Sequence, residues 1–229
     1  MTLTDTTTET DTDTAADTTT ETETAADTAA DTTTETDTAI QTSAEDRTVT
    51  ESTQIIYATM DSPVGEIVFS GVRSATAPGG VALASLRMGA WKQSKRRDRD
   101  ARVEPGWVLA QEEFEYVIRT MQEYFRGERT EFDFGYTVRG TPFQERVWEE
   151  LKKIPYGTTT TYGRITADLG LDRVQARAVG GAVGNNPLGI VVPCHRVIGA
   201  NGALTGYAGG LENKEALLVL EGVLPQPLV

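Results

Sequence analysis

From Gln54 onward the chain shows the apolar periodicity that folded segments need. Ile55, Ile56 and Tyr57 precede Asp61-Ser62-Pro63-Val64-Gly65, and Ile67, Val68 and Phe69 follow it, which reads as two short strands joined by a turn. Val81–Met88 is a third strand candidate. Over residues 109–126, Leu109, Phe114, Val117, Ile118, Met121 and Phe125 recur at helical spacing, and Gly127 supplies a stop. Together these predict a small α+β N-terminal domain at residues 55–138, with a three-stranded sheet and helices. Nothing in it reads as chemistry.

Around Arg139 and Gly140 the pattern changes. Thr141-Pro142-Phe143-Gln144 has the order of a capping box, with Thr as N-cap, Pro at the first helical position and Gln three residues on. The helix that follows places Phe143, Val147, Trp148, Leu151 and Ile154 on one face and stops at Pro155. Thr161 is placed to cap a short helix that buries Tyr162, Ile165 and Leu169 and ends at Gly170. Asp172 is placed to cap a second helix running to about Gly184. Two short helices across a tight turn make a helix-turn-helix pattern, which any helical hairpin also produces. The second helix carries Gly180 and Gly181, each costing about 1 kcal/mol relative to alanine. A closely packed protein element or a nucleic-acid groove would both explain them, and Arg177 among small neighbours favours the groove.

The run Gly189-Ile190-Val191-Val192 is apolar and largely β-branched, so it predicts a buried strand that Pro193 ends. Asn201-Gly202 predicts a hairpin wing between Val197-Ile198 and Ala203-Leu204. Residues 211–221 form a last helix with Leu211, Leu217, Leu218 and Leu220 available to the core.

Charge alters this picture mainly at the N-terminus. The 229 residues carry a net charge of −13, but residues 1–54 hold fourteen carboxylates against Arg47 alone, and the remainder has 20 basic and 20 acidic groups. The first forty-two residues are almost wholly Thr, Asp, Glu and Ala, so residues 1–54 are expected to be a disordered acidic tail. An acidic arm competing with DNA is the functional alternative. The cluster Lys92, Lys95, Arg96, Arg97, Arg99 and Arg102 is interleaved with aspartates and reads as a solvated loop. No signal-peptide or membrane-spanning pattern occurs, so a soluble, cytoplasmic protein without membrane contact is expected.

One cysteine excludes an internal disulfide, and with one histidine leaves little to bind a transition metal. Such a cysteine is most often a small buried hydrophobe, and such a histidine a structural residue. Here Cys194 and His195 are adjacent, as a thiol needing a base would require. Glu221 falls at a helix C-terminus, where the macrodipole disfavours its charge. It is either an exposed residue at a frayed end or a carboxylate that orients His195.

Pro193-Cys194-His195-Arg196-Val197-Ile198, followed by Gly206-Tyr207-Ala208-Gly209-Gly210-Leu211 and Lys214-Glu215, resembles the signature of the O6-alkylguanine-DNA alkyltransferases. The resemblance extends back through Pro142-Phe143-Gln144, Ile154-Pro155-Tyr156-Gly157, Thr161-Tyr162-Gly163 and residues 176–182. It implies a ribonuclease H-like N-terminal domain, then a winged helix-turn-helix domain at residues 139–229 that binds the minor groove and flips the target nucleotide.

By the same resemblance Cys194 is the alkyl acceptor, and His195, acting through water and held by Glu221, removes its proton. Arg177 fills the gap left by the flipped base, Tyr162 pushes on the phosphate backbone, and Gly163, Ala176 and Gly180 also meet DNA. Asn186 ties the second helix to the cysteine segment. Tyr207 lines the base pocket and protonates the leaving guanine, while backbone groups at Cys194 and Val197 read the base edge. Ala208 stands where some members have a serine. The partner implied is double-stranded DNA containing O6-alkylguanine, with O4-alkylthymine as a further substrate, and the thioether product allows one turnover per molecule. No cofactor, no zinc and a monomer are expected. Two rivals remain: a lesion sensor or winged-helix regulator that transfers nothing, and a cysteine hydrolase using Cys194 and His195.

Overall fold

The computed structural model describes residues 54–89 and 103–226. The acidic tail and the basic cluster between Lys92 and Arg102 lie outside the described residues. The elements form an α+β arrangement with a four-stranded mixed sheet and helices.

β1 (Ile56–Ser62) and β2 (Gly65–Arg73) pair antiparallel, with Ser62 opposite Gly65 across the turn. Gly65 takes a φ of 88° there, a conformation that glycine adopts without strain. β3 (Val81–Met88) pairs antiparallel with β2, and both have the bounds or core residues that their alternation predicts. β4 (Val108–Leu109) adds a parallel edge beside β1, so the sheet order is β3-β2-β1-β4 rather than three strands. This corrects the long helix expected from residue 109. The open edge of β1 captures the chain through Val108 N to Ile55 O and Ala110 N to Tyr57 O, leaving Leu109 exposed. The helix proper, α1 (Glu115–Phe125), starts after a 3-10 turn and lays Val117, Met121 and Tyr124 into the core.

The outer edge of β3 is taken by residues from further along the chain. Leu83 N donates to Gly135 O, Thr137 N to Leu83 O, and Leu86 N to Pro187 O. These bonds fasten the segment after α1, and the segment before Cys194, to the same strand.

α2 (Pro142–Lys152) begins with the expected capping box, Thr141 and Gln144 each bonding the other's backbone N–H. β5 (Thr160–Thr161) leads into α3 (Tyr162–Asp168), capped by Thr161. Asp172 forms a capping box with Gln175, and a 3-10 turn then passes into α4 (Ala176–Gly184). The indole of Trp148 donates to Ala182 O at 3.0 Å, fixing α4 on α2.

Residues 189–192 are buried as predicted but do not form a strand. Leu188 alone bridges to Leu86, and the chain then folds on itself through Val191 N to Gly189 O and Val192 N to Leu188 O. Ile190 adopts a φ of 72°, costly for a β-branched residue and a mark of an over-determined site. The wing hairpin is also absent. β6 (Val197–Ile198) instead pairs parallel with β5, and Ala203 meets Gly199 only across a turn that Asn201 Oδ1 caps. α5 (Leu211–Leu220) buries Leu217 and Leu218, while Leu211 stays exposed.

Candidate active site

Cys194 opens a 3-10 turn, Cys194–Arg196, immediately after Pro193. It borders a cavity of about 470 Å3 that Asn186, Tyr207, Ala208 and Gly209 also line. The opposite wall comes from β3, through Leu86, Arg87 and Met88, so the N-terminal half does take part in the site, contrary to expectation. Burial pushes the Cys194 thiol up, against a lowering by the Asn186 side chain and the Lys214 charge. Asn186 Nδ2 lies 3.1 Å from Cys194 Sγ and 2.7 Å from Val192 O, while its Oδ1 accepts from Leu188 N.

Behind the cysteine, His195 Nε2 is 2.8 Å from Glu221 Oε1, with both side chains fully buried. Glu221 is therefore no frayed surface residue. Arg196 donates to both of its oxygens, through Nε to Oε2 at 2.8 Å and Nη2 to Oε1 at 2.9 Å. Tyr124 Oη donates to Oε1 at 2.8 Å, and Gly157 N to Oε2 at 3.3 Å. Burial would raise the Glu221 carboxyl, but hydrogen bonds from His195 and Arg196 outweigh it and hold the group at about 2. Burial lowers His195 below the usual imidazole range, with Glu221 opposing. Its Nδ1 is buried and finds no hydrogen-bond partner among the described residues, which leaves that nitrogen able to accept a proton.

Lys214 is fully buried, and its Nζ donates to Val197 O at 2.5 Å and Thr205 O at 2.7 Å, clamping the loop before Tyr207. Burial lowers it to about 8. The Val197 side chain is in the core, its N–H donates to Cys194 O, and its carbonyl accepts from Lys214 with one lone pair, leaving a second for another donor. Tyr207 is half-buried, with Oη 3.8 Å from Met88 Sδ, and burial pushes its phenol well above the ordinary value. It therefore keeps its proton. Ala208 is exposed at the cavity rim.

The expected nucleic-acid residues lie together on α3 and α4. Gly163 and Arg177 are exposed, and Ala176 and Gly180 half-exposed. Tyr162 is half-buried, and its hydroxyl donates to Thr205 O at 3.1 Å or Gly206 O at 3.3 Å rather than standing free toward solvent. Protein packing does not require the α4 glycines. A Cβ at Gly181 would meet nothing within 4 Å, and one at Gly180 would touch the Tyr162 ring at an ordinary 3.7 Å. Val174, on the same helical face as Arg177, Ala178 and Gly181, is 84% exposed. Exposed on this side are small and apolar side chains together with Arg177 and, one turn before it, Arg173.

Sequence reading missed Arg196, Tyr124, Lys214 and Met88. Arg196 and Lys214 lie within the motifs that carry the family resemblance, and Tyr124 continues the Val117–Met121 stripe by three residues, which is the signal that points to it. Met88 carried no signal beyond its strand. Among the described residues no group of three or more His, Cys, Asp or Glu side chains could hold a metal ion.

Residues 142–223 match the family model described as 6-O-methylguanine DNA methyltransferase, DNA binding domain. The methylated-DNA-protein-cysteine methyltransferase of Mycolicibacterium paratuberculosis is 45% identical over 170 residues, covering 73% of this chain and 92% of that one. The chain belongs to the methylated-DNA-protein-cysteine methyltransferase family. Its fold agrees with that membership. The Mycobacterium tuberculosis O6-methylguanine methyltransferase superposes with a TM-score of 0.62 at 43% identity, over 76% of this chain and 97% of that one. The Mycobacterium tuberculosis OGT in complex with DNA gives 0.61 at 44% identity, over 72% and 92%.

Proposed function

We propose that this methyltransferase repairs duplex DNA by taking the alkyl group from O6 of guanine onto Cys194, once per molecule. The observation that carries this is the placement of Cys194 Sγ on the cavity, beside the Asn186 amide and backed by the His195–Glu221 pair. Asn186 donates to the sulfur and so favours its thiolate. The thiol proton passes through a bridging water to His195 Nδ1, and Glu221 stabilises the imidazolium. The thiolate then forms a sulfur–carbon bond as the carbon–O6 bond breaks, and the bonding pair leaves with guanine. Tyr207, held neutral, supplies a proton to the departing base and recovers one from the His195 imidazolium through water, so that guanine leaves neutral and no phenolate remains. A thioether is not cleaved by the amide, imidazole, carboxylate or phenol that surround it among the described residues, so the protein is consumed. O4-alkylthymine offers the same carbon–oxygen bond and is a further substrate.

α3 and α4 form the helix-turn-helix that enters the minor groove, with Arg177 replacing the flipped nucleotide in the stack. The bare glycine face of α4 supports this assignment. For Tyr162 to press on the backbone, its hydroxyl must exchange the Thr205 or Gly206 carbonyl for a phosphate. In finer classification, a ribonuclease H-like domain at residues 55–138 precedes a winged helix-turn-helix domain at 139–229. The protein acts as a monomer in the cytoplasm, without cofactor.

The test is to incubate the protein with duplex DNA containing O6-methylguanine and measure intact and peptide mass. A gain of one methylene on the Cys194 peptide is expected. Tight lesion binding at unchanged mass would make the protein a sensor and end the transfer reading.

A further inference from the structure

Glu221 Oε1 is an unusually crowded acceptor. Three side chains donate to it: His195 Nε2 at 2.8 Å, Arg196 Nη2 at 2.9 Å and Tyr124 Oη at 2.8 Å. The first two are neighbours of Cys194, whereas Tyr124 sits 97 residues before Glu221, on α1. Its ring is completely buried, with ring centroids of Phe132 at 5.3 Å, Phe125 at 5.4 Å and Tyr156 at 6.2 Å. Packing alone would be met by phenylalanine. A buried hydroxyl must still find an acceptor, and here the acceptor is the carboxylate that faces the only histidine.

We propose that Tyr124 is a positioning residue for alkyl transfer: its hydroxyl shares Glu221 Oε1 with His195 and so sets how much of the carboxylate's charge the imidazole receives. This rests on the alkyl-transfer reading of Cys194. A carboxylate oxygen that accepts from a phenol is a weaker acceptor for its remaining donors. Tyr124 therefore restrains the pull of Glu221 on the imidazolium and holds the carboxylate in one orientation. The helix that carries it belongs to the N-terminal half, so that half contributes to the proton relay as well as to the cavity wall. Burial, and then the Glu221 charge, push the Tyr124 phenol far above its ordinary value. It stays a donor throughout the working range.

The groups that face His195 are Cys194 and Arg196 of its own segment, Glu221 and Lys214 from the last helix, and Tyr124 through Glu221. Tyr207 and Tyr156 also lie near these charges, but their hydroxyls point to Met88 Sδ and Leu220 O. Tyr124 is thus the tyrosine whose hydroxyl bonds the relay carboxylate.

Because the chain has one histidine, imidazole NMR of the untagged protein reads His195 without assignment. In Tyr124→Phe the His195 titration midpoint should rise by at least about half a pH unit. The pH profile of single-turnover methyl transfer should change with it. Phe132→Leu disturbs the same ring cluster without touching Glu221. It should lower stability and leave the midpoint in place. A midpoint within about 0.1 unit of wild type in Tyr124→Phe, or an equal rise in Phe132→Leu, would overturn the proposal. Should Tyr124→Phe fail to fold, 3-fluorotyrosine labelling makes every phenol a stronger donor, and the midpoint should then fall; an unmoved midpoint overturns the idea again. Absence of methyl transfer in wild-type protein would instead refute the alkyl-transfer reading, whatever the titration shows.

Discussion

The side-chain amide of Asn186 donates both to Val192 O, at 2.7 Å, and to Cys194 Sγ, at 3.1 Å. One residue thereby joins the end of α4, the turn that holds Ile190 at positive φ, and the sulfur. The contact places a residue just after α4 directly on the sulfur.

Asn186→Ala removes the one side-chain donor to Cys194 Sγ among the described residues, while burial continues to oppose the thiolate. A hydrogen bond to a charged group contributes about 1.5–3 kcal/mol, so single-turnover transfer should slow by about ten- to a hundredfold at neutral pH. The thiol midpoint, followed by iodoacetamide alkylation against pH, should move up. An unchanged midpoint would show that the amide serves only the Val192 carbonyl.

Arg177 is exposed on the helix face that carries Val174 and Gly181. Arg177→Ala should weaken repair of duplex DNA by about five- to a hundredfold, the effect of losing 1–3 kcal/mol at a nucleic-acid contact. Reaction with the free base O6-benzylguanine, which needs no flipping, should be unaffected. Equal losses on both substrates would mean that Arg177 acts inside the site and not on the duplex.

The parts of this molecule that were legible in sequence are those set by local rules. The capping box at Thr141, the cap at Asp172, the stop at Gly127 and the bounds of β3 follow from side-chain and backbone preferences over a few residues. What failed depended on distant partners. Residues 189–192 have the composition of a strand, but β3 offers an edge only at Leu188, so the run coils instead of extending. Val197-Ile198 pairs with Thr160-Thr161, and Lys214, a buried lysine from α5, binds the Val197 and Thr205 carbonyls; both partners are distant in sequence from the predicted hairpin. The nucleophile and its base were visible as neighbours in the chain. Tyr124 and Met88 were not, since both reach the site through tertiary packing across the two halves.

Stability should fall in acid through two groups of the relay, and the sign is the same for both. The folded-state value of Glu221 is about 2, below its ordinary 4.5, and that of His195 is lowered from 6.5. In each case the unfolded chain binds the proton first as pH drops, so the folded state loses stability. The His195 share declines from about pH 6.5 downward, and the Glu221 share, fully present above about 4.5, is lost as pH approaches 2. Urea unfolding from pH 8 to pH 3 should show this decline, with the lower segment flattened in Glu221→Gln although that variant is less stable at pH 7. A parallel slope in Glu221→Gln would place the acid sensitivity elsewhere.

Gly181 allows the two explanations of the α4 glycines to be separated, because stability and binding should move in opposite directions. A Cβ there points into open space, the residue lies inside a regular helix, and its φ is not positive. Gly181→Ala should therefore stabilise the protein by about 0.5–1 kcal/mol, through reduced backbone entropy of the unfolded chain. If α4 meets the groove along the Val174, Arg177, Ala178 and Gly181 face, the added methyl holds the helix off the duplex and lowers affinity, and a leucine there lowers it further. Thermal unfolding and fluorescence-anisotropy titration of a labelled duplex give the two readings on the same samples. A variant that is more stable and binds DNA as tightly as wild type would show that the glycine is not kept for close approach to DNA, and α4 would have to present another face to the groove.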